Sequence, residues 1–337
     1  MALTRTMKFA AALTSLFAMV FVATPAVGAT AHSHPSEPVL LSSGIQGASG
    51  STIGPDGALY VTEALTGSVL RIDTRTGSST VYASGLPLKV IGLGGAVDIV
   101  FVGRTAYVLV TLVSADVGGS SVSGIYRLNR SGGFSAVADL GAWSIANPPD
   151  TAFDVPSGLQ FAFDVYRGGF LVTDGHHNRV LKVSLSGAIS EVIQFGNTVP
   201  TGLDVAGRSV VMAEAGAVPH LPADGRVVSF DVKHPVVRNV ASGYSLLVDA
   251  EFGPCGSLYA LSQGDSPGVV PAGSPALPDS GELLRANRNG TFTVVADALD
   301  LPTSVDFKRD AAFIVTNDGE VWKIADVNGW RHGGCRR

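Results

Sequence analysis

Apolar residues in this chain fall in short runs, many alternating or β-branched, each broken by Gly, Asp, Asn, Ser or Thr. No stretch of the body keeps the spacing of a long amphipathic helix, so short strands joined by tight turns are predicted throughout. The pattern also repeats. Residues 54–87 read as a Gly turn, a strand at 59–62, a turn, a strand at 68–73, a Thr-Gly turn and a strand at 79–83. The strand at 58–62 recurs at 105–110, 169–173, 209–213, 257–261 and 312–316. The one ending in VLRID recurs at 125–129, 180–184, 227–231, 283–287 and 321–325. An outer strand recurs at 134–140, 189–195, 236–242 and 291–301. A small-polar strand opens each unit, at 50–53, 97–102, 157–163, 201–205, 249–252 and 304–307.

Four short antiparallel strands, repeated six times, predict an all-β, six-bladed β-propeller over residues 38–326. No blade of this kind can bury both of its own faces, so neighbours must stack around an axis. The sixth unit stops after its third strand. Residues 39–45 (VLLSSGI) resemble the outer-strand motif and have no partner nearby in sequence. They are predicted to supply the missing strand, closing the ring and hiding the sheet edges. Two Gly/Ser/Pro-rich insertions interrupt the pattern, at 113–123 and 264–280, and a longer connection, 139–155, enters the third unit.

The ends and the composition add a compartment. Arg5 and Lys8 precede an apolar run at 9–23 and small residues at 26–31, which reads as a secretory signal peptide over residues 1–31. A transmembrane anchor is the alternative; the run is short and interrupted by Thr and Ser. Removal of the leader leaves about 306 residues of an exported, monomeric protein. Charged residues make up 15% and the net charge is −5, so nothing favours nucleic acid or an anionic membrane surface. Cys255 and Cys335 are the two cysteines; Cys335 lies in a polar tail, 327–337, that has little else to hold it. In an exported chain the pair can form a disulfide; two free thiols are the alternative.

Candidate chemistry gathers where the second strand of each unit ends. Reading the next residue in each copy gives Glu63, Val110 or Thr111, Asp174, Glu214, Ser262 or Gln263, and Asn317. Equivalent positions of a propeller lie on a circle, so one face is predicted to collect Glu63, Asp174, Glu214 and Asn317, with Ser157 and Thr201 from neighbouring loops. Carboxylate and amide oxygens converging on an axis suit Ca²⁺ or Mg²⁺. His176 and His177, present in one copy only, are the candidate catalytic residues, as a general base beside such a cation. The competing expectation is structural: Asp174, Asn178 and Arg179 hold their turn, with Arg179 reaching a carboxylate of the next blade, and the histidines are solvated. His220 lies in a Pro-rich loop that the topology directs toward the same face. No Gly-x-Ser-x-Gly, Walker, CxxC or HExxH motif occurs.

The segment VTDGHHNRVLKV is similar to an NHL-type propeller repeat. Over residues 38–325 the chain resembles the ScyD/ScyE family, through the opening VLLSSGIQGASGSTIGPDGALYVTEALTGSVLRID, the central PSGLQFAFD and the later VDAEFGPCGSLYAL. That resemblance implies an exported six-bladed propeller of a family associated with scytonemin biosynthesis. Gluconolactonase-like and strictosidine-synthase-like propellers are related. The gluconolactonase-like pattern implies a cation on ring residues, for which Glu63, Glu214 and Asn317 are the positional candidates. Three functions follow as expectations: a propeller that binds a small molecule or protein partner at its top face, a cation-dependent hydrolase at the same centre, or a structural surface protein.

Overall fold

The computed structural model describes residues 36–268 and 274–328. The predicted leader and Cys335 lie outside the described residues, and with Cys335 the predicted bridge to Cys255.

Six four-stranded antiparallel sheets form the blades of a β-propeller. Their innermost strands are Ala48–Ile53, Gly95–Val102, Gln160–Tyr166, Pro200–Ala206, Leu247–Phe252 and Pro302–Lys308, for blades one to six. In the sixth blade the outer strand is Val39–Ser42, which pairs antiparallel with Val321–Ala325, setting Val39 opposite Lys323 and Leu40 opposite Trp322. The N-terminal and C-terminal parts of the ring therefore share one sheet. Among the described residues no helix is long and apolar enough to cross a membrane.

The strand types follow from what covers them. Second strands such as Leu59–Glu63 and Gly169–Asp174 are buried along their whole length, because each is flanked within its sheet and covered on both faces by neighbouring blades. The core is accordingly made between blades. Tyr107, Leu109 and Ile125 of blade two pack with Phe163, Phe170 and Val172 of blade three, and the Tyr107 and Phe170 rings stand 4.9 Å apart. Outer strands are mostly exposed, as in Ser79–Ser84, where only Ala83 is buried, since one edge and part of one face meet water.

Innermost strands are small and polar for a different reason. Each has a register break against its second strand, for example between Ala48 and Ser51, Gln160 and Phe163, and Pro302 and Ser304. Such bulges sharpen the twist needed where six strands crowd around one axis. A Cβ on Gly50 would run into the Val97 carbonyl and come within 2.6 Å of the Asp98 Cα, so only glycine fits there.

The same strands carry a repeated contact. Asp98 Oδ2 accepts the Phe163 N–H at 2.9 Å, Asp164 Oδ2 that of Val205 at 2.9 Å, and Asp204 Oδ2 that of Phe252 at 2.9 Å. Asp249 Oδ2 accepts the Val305 N–H at 2.9 Å, and Asp306 Oδ1 that of Ile53 at 3.2 Å. At five of the six junctions, an aspartate of one blade thus holds the innermost strand of the next. At the remaining junction, from blade one to blade two, the close approach of Gly50 takes its place.

The 139–155 connection contains a helix, Leu140–Ala146, where the sequence offered only a long loop. Asp139 caps it, its Oδ1 accepting from Ala142 N at 2.8 Å. A helix of two turns has little intrinsic stability, so it depends on what it docks against.

Asp98→Ala leaves the buried Phe163 N–H unpaired and should lower the unfolding free energy by about 1–3 kcal/mol; Asp98→Asn, which keeps an acceptor, should cost less. Urea denaturation of both variants checks the ordering.

Candidate functional site

Strand register assigns the six equivalent positions at the ends of the second strands. Ala48 pairs with Glu63, Gly95 with Thr111, Gln160 with Asp174, Pro200 with Glu214, Leu247 with Ser262 and Pro302 with Thr316. The sixth member is therefore Thr316, and the predicted Asn317 stands one residue beyond it, on the wall of the central cavity.

The three carboxylates of that circle turn into their own blades. Glu63 accepts from Gln46 N at 3.0 Å and from Thr66 Oγ1 at 2.9 Å. Glu214 Oε2 pairs with Arg226 Nε, while its Oε1 is buried without a partner among the described residues. Burial pushes the Glu214 carboxyl up despite the arginine. Asp174 accepts from Leu159 N at 3.2 Å and from Arg179 Nε at 3.1 Å. None of the three lines the cavity. Among the described residues no group of three or more His, Cys, Asp or Glu side chains is placed to hold a metal ion. The set expected for calcium does not converge on one point, so no chemistry is routed through an ion here.

His176 and His177 point to different fates, although they are adjacent. His177 is fully buried: Nε2 lies 3.0 Å from the Val155 carbonyl, and Nδ1 lies 2.9 Å from Arg179 Nη2. With the proton on Nε2, the ring donates to Val155 and accepts from Arg179. Phe153 meets its edge at 4.9 Å. Arg179, also buried, donates to the Asn147 carbonyl at 2.7 Å and to Ser144 Oγ at 3.0 Å, and its guanidinium covers Trp143 at 5.0 Å. Its second carboxylate contact, Glu191 at 3.6 Å, comes from the outer strand Ile189–Gln194 of the same blade, not from the next blade as the repeat suggested. Arg179, His177 and Asp174 are thus the seat on which the helix Leu140–Ala146 and the loop after it rest. Asn178 takes the left-handed conformation of the turn, at φ 54°.

His176 faces the axis. It lines a cavity of about 460 Å³ walled by residues of all six blades, together with His220, Gln263 and Asn317. Burial pushes the imidazoles of His176 and His220 down; nearby carboxylates oppose this, and each ring has a second histidine beside it. Both are accordingly neutral at pH 7 and able to donate and accept. His220 Nδ1 is buried without a partner among the described residues. Thr201 also lines the cavity, but its hydroxyl is committed to the Leu247 carbonyl at 2.9 Å. Ser157 is buried away from the cavity, its N–H on Asp116 Oδ2 at 2.9 Å.

The carboxylates that do line the cavity are the junction aspartates. Asp98, Asp164, Asp249 and Asp306, with Glu251, line the channel; strand register sets them opposite Leu109, Leu171, Leu261, Phe313 and Tyr259, within the second strands rather than at the ends from which the His176 turn leaves. Each keeps some surface on the channel yet is enclosed by the ring, and burial is what moves its carboxyl most. Asp164 and Asp249 are pushed up to about 7 and Asp306 to about 6, against the pull of the backbone N–H groups; facing carboxylates add to the rise. Asp98 and Glu251 are raised well above the ordinary range by the same burial and mutual repulsion. This ring was missed from sequence. Its signal was present: an aspartate flanked by apolar residues in five successive opening strands, as in VDIV, FDVY, LDVA, VDAE and VDFK.

A carboxyl with a folded pKa above its unfolded value of about 4 binds protons more readily in the folded state. Its contribution is fullest below about pH 4 and declines as pH rises toward 7. The lowered histidines act oppositely, removing stability as pH falls below about 6.5. The five carboxyls outnumber them, so the thermal midpoint should fall between pH 5 and pH 8, and Asp249→Asn should flatten that slope. A pH series of melting curves reads both. Arg179→Ala strips the buried Asp174 and His177 of their partner and should cost on the order of 3 kcal/mol, with faster proteolysis within residues 146–155. His176→Ala should change stability little.

No family model matches the chain, and no curated protein matches it. The fold is similar to that of a gluconolactonase from Xanthomonas campestris, with a TM-score of 0.58 at 12% identity over 86% of this chain and 89% of that one. It is similar to a PQQ-bound aldose sugar dehydrogenase from Streptomyces coelicolor, with a TM-score of 0.56 at 12% identity over 87% and 99%. A virginiamycin B lyase from Staphylococcus aureus aligns with a TM-score of 0.52 at 11% identity over 86% and 98%. At these identities the likeness is one of architecture: the chain is a six-bladed β-propeller of the kind seen in gluconolactonase-like proteins.

Proposed function

We propose that this is an exported propeller of the ScyD/ScyE type that binds a small organic molecule in its axial cavity, at the face bearing His176. The observation that carries this reading is the cavity itself. It has a volume of about 460 Å³ and takes wall residues from every blade. Its size suits a compact ligand. Several polar groups on its wall have no partner among the described residues. The His176 ring, the Lys89 amine and the Asn317 amide make no hydrogen bond among the described residues, whereas the residues of the buried turn are fully engaged. Polar groups left unsatisfied at a cavity wall are what orient a ligand.

A hydrolytic reading would need an activated water or a polarised carbonyl. The neutral His176 could serve as a base, but Glu63, Asp174 and Glu214 are held in their own blades and offer it no cation.

The test is a thermal-shift panel of neutral lactones, aldoses and small aromatic compounds. A ligand at a hundredfold excess over its Kd should add about 2.7 kcal/mol of stability. His176→Ala and Asn317→Ala should weaken such a ligand about tenfold, the scale of one lost hydrogen bond, while the unliganded midpoint stays near that of the parent. Ligands unaffected by both changes would move the site away from the axis.

A further inference from the structure

The mouth of the cavity carries more apolar surface than the fold needs. The connection from blade one to blade two, residues 85–94 (GLPLKVIGLG), has no regular structure. It exposes Leu88 at 55%, Val90 at 42%, Ile91 at 39% and Leu93 at 41% of their surface. Few backbone bonds hold it, among them Lys89 N to the Ala64 carbonyl at 2.9 Å and Leu86 N to the Gly67 carbonyl at 3.0 Å. Lys89, Gly92, Leu93 and Gly94 are themselves cavity wall, so the exposed aliphatic side chains border the opening. On the other side, Leu221 follows the cavity residue His220, and Leu277 lies two residues beyond the cavity residue Pro275; both are exposed.

The cavity therefore changes character with depth. Exposed aliphatic side chains border the wall residues Lys89 and Leu93, imidazole and amide groups of His176 and Asn317 follow the ends of the second strands, and the carboxyls of Asp98, Asp164, Asp249, Asp306 and Glu251 lie further along the innermost strands. Lys89, at the mouth, is the one lysine or arginine among the wall residues. An apolar body covering the mouth removes aliphatic surface from water, at about 25 cal/mol for each Å². An anionic end pushed past the wall would meet like charge in a poorly solvated space, which is the stronger discriminator. A hydroxyl, amide or ammonium end would meet acceptors instead.

We propose that the axial cavity takes a neutral or cationic amphiphile, with its apolar body on Leu88, Val90, Ile91 and Leu93 and its hydrogen-bonding end turned inward. This rests on the cavity being the ligand site, and it names the chemical class that the site selects. Anionic amphiphiles are rejected, apart from what Lys89 can hold at the surface.

Three probes that share a chain and differ in the end group test it: octylamine, octanol and octanoate. Each is titrated calorimetrically at pH 7.5 into the full exported chain, below its aggregation concentration. Octylamine and octanol should bind, and octanoate at least tenfold more weakly. The double change Leu88→Ser with Ile91→Ser should weaken the first two about fivefold or more. These side chains are exposed, and an unchanged circular dichroism spectrum and melting midpoint would show that the variant folds. Octanoate binding as tightly as octylamine would overturn the class while leaving the cavity as a site. Octylamine and octanol binding unchanged in the double variant would also overturn it. If no probe binds, the class is wrong, and the neutral panel with its His176 and Asn317 variants then decides separately whether the cavity is a ligand site.

Discussion

The ring depends on one repeated contact, in which an aspartate on the innermost strand of one blade accepts the backbone N–H of the innermost strand of the next. Packing between blades supplies most of the buried apolar area, but it is non-directional. The aspartate contacts are directional. They set the height and angle at which neighbouring strands meet, from Asp98 reaching Phe163 round to Asp306 reaching Ile53. The strand Val39–Ser42 then completes the sixth sheet on the outside. Closure is thus secured twice, near the axis by carboxylates and at the rim by strand pairing.

That solution has a chemical consequence. Four of these aspartates and Glu251 line one channel, where Lys89 is the one lysine or arginine among the described wall residues, and burial raises the carboxyls that line it. The interior of the cavity is therefore a set of acceptors, able to hold protons near neutral pH and hostile to anions. The group that first draws the eye, Asp174 with His177 and Arg179, does something else. It fills the space under the helix Leu140–Ala146 and satisfies the polar groups of that insertion. His176, one residue away, takes no part in this and lies on the cavity wall.

The architecture was legible in the sequence because it rests on a local and repeated pattern. The second strands, buried along their whole length, and the mostly exposed outer strands follow from being covered on two faces or on one, and even the outer strand at residues 39–45 betrays itself by its motif. The site was less legible for two reasons. Position on a circle does not say where a side chain points, and Glu63, Asp174 and Glu214 turn back into their blades because a turn N–H or an arginine lies closer than the axis. The single-copy His-His pair did mark something beyond the repeat, but one ring serves the insertion and one the cavity, a split that depends on the helix no sequence pattern announced. The inner aspartates could have been read: a charged residue recurring within strands that face an axis is too costly to be incidental.

Side-chain carboxyl ¹³C shifts, followed through pH, test this account most directly, because the inner ring underlies both closure of the fold and the chemistry of the cavity. Asp164 and Asp249 should titrate near 7 and Asp306 near 6, with Asp98 and Glu251 well above ordinary values. Titration of all five near 4, as in solvated carboxylates, would contradict it.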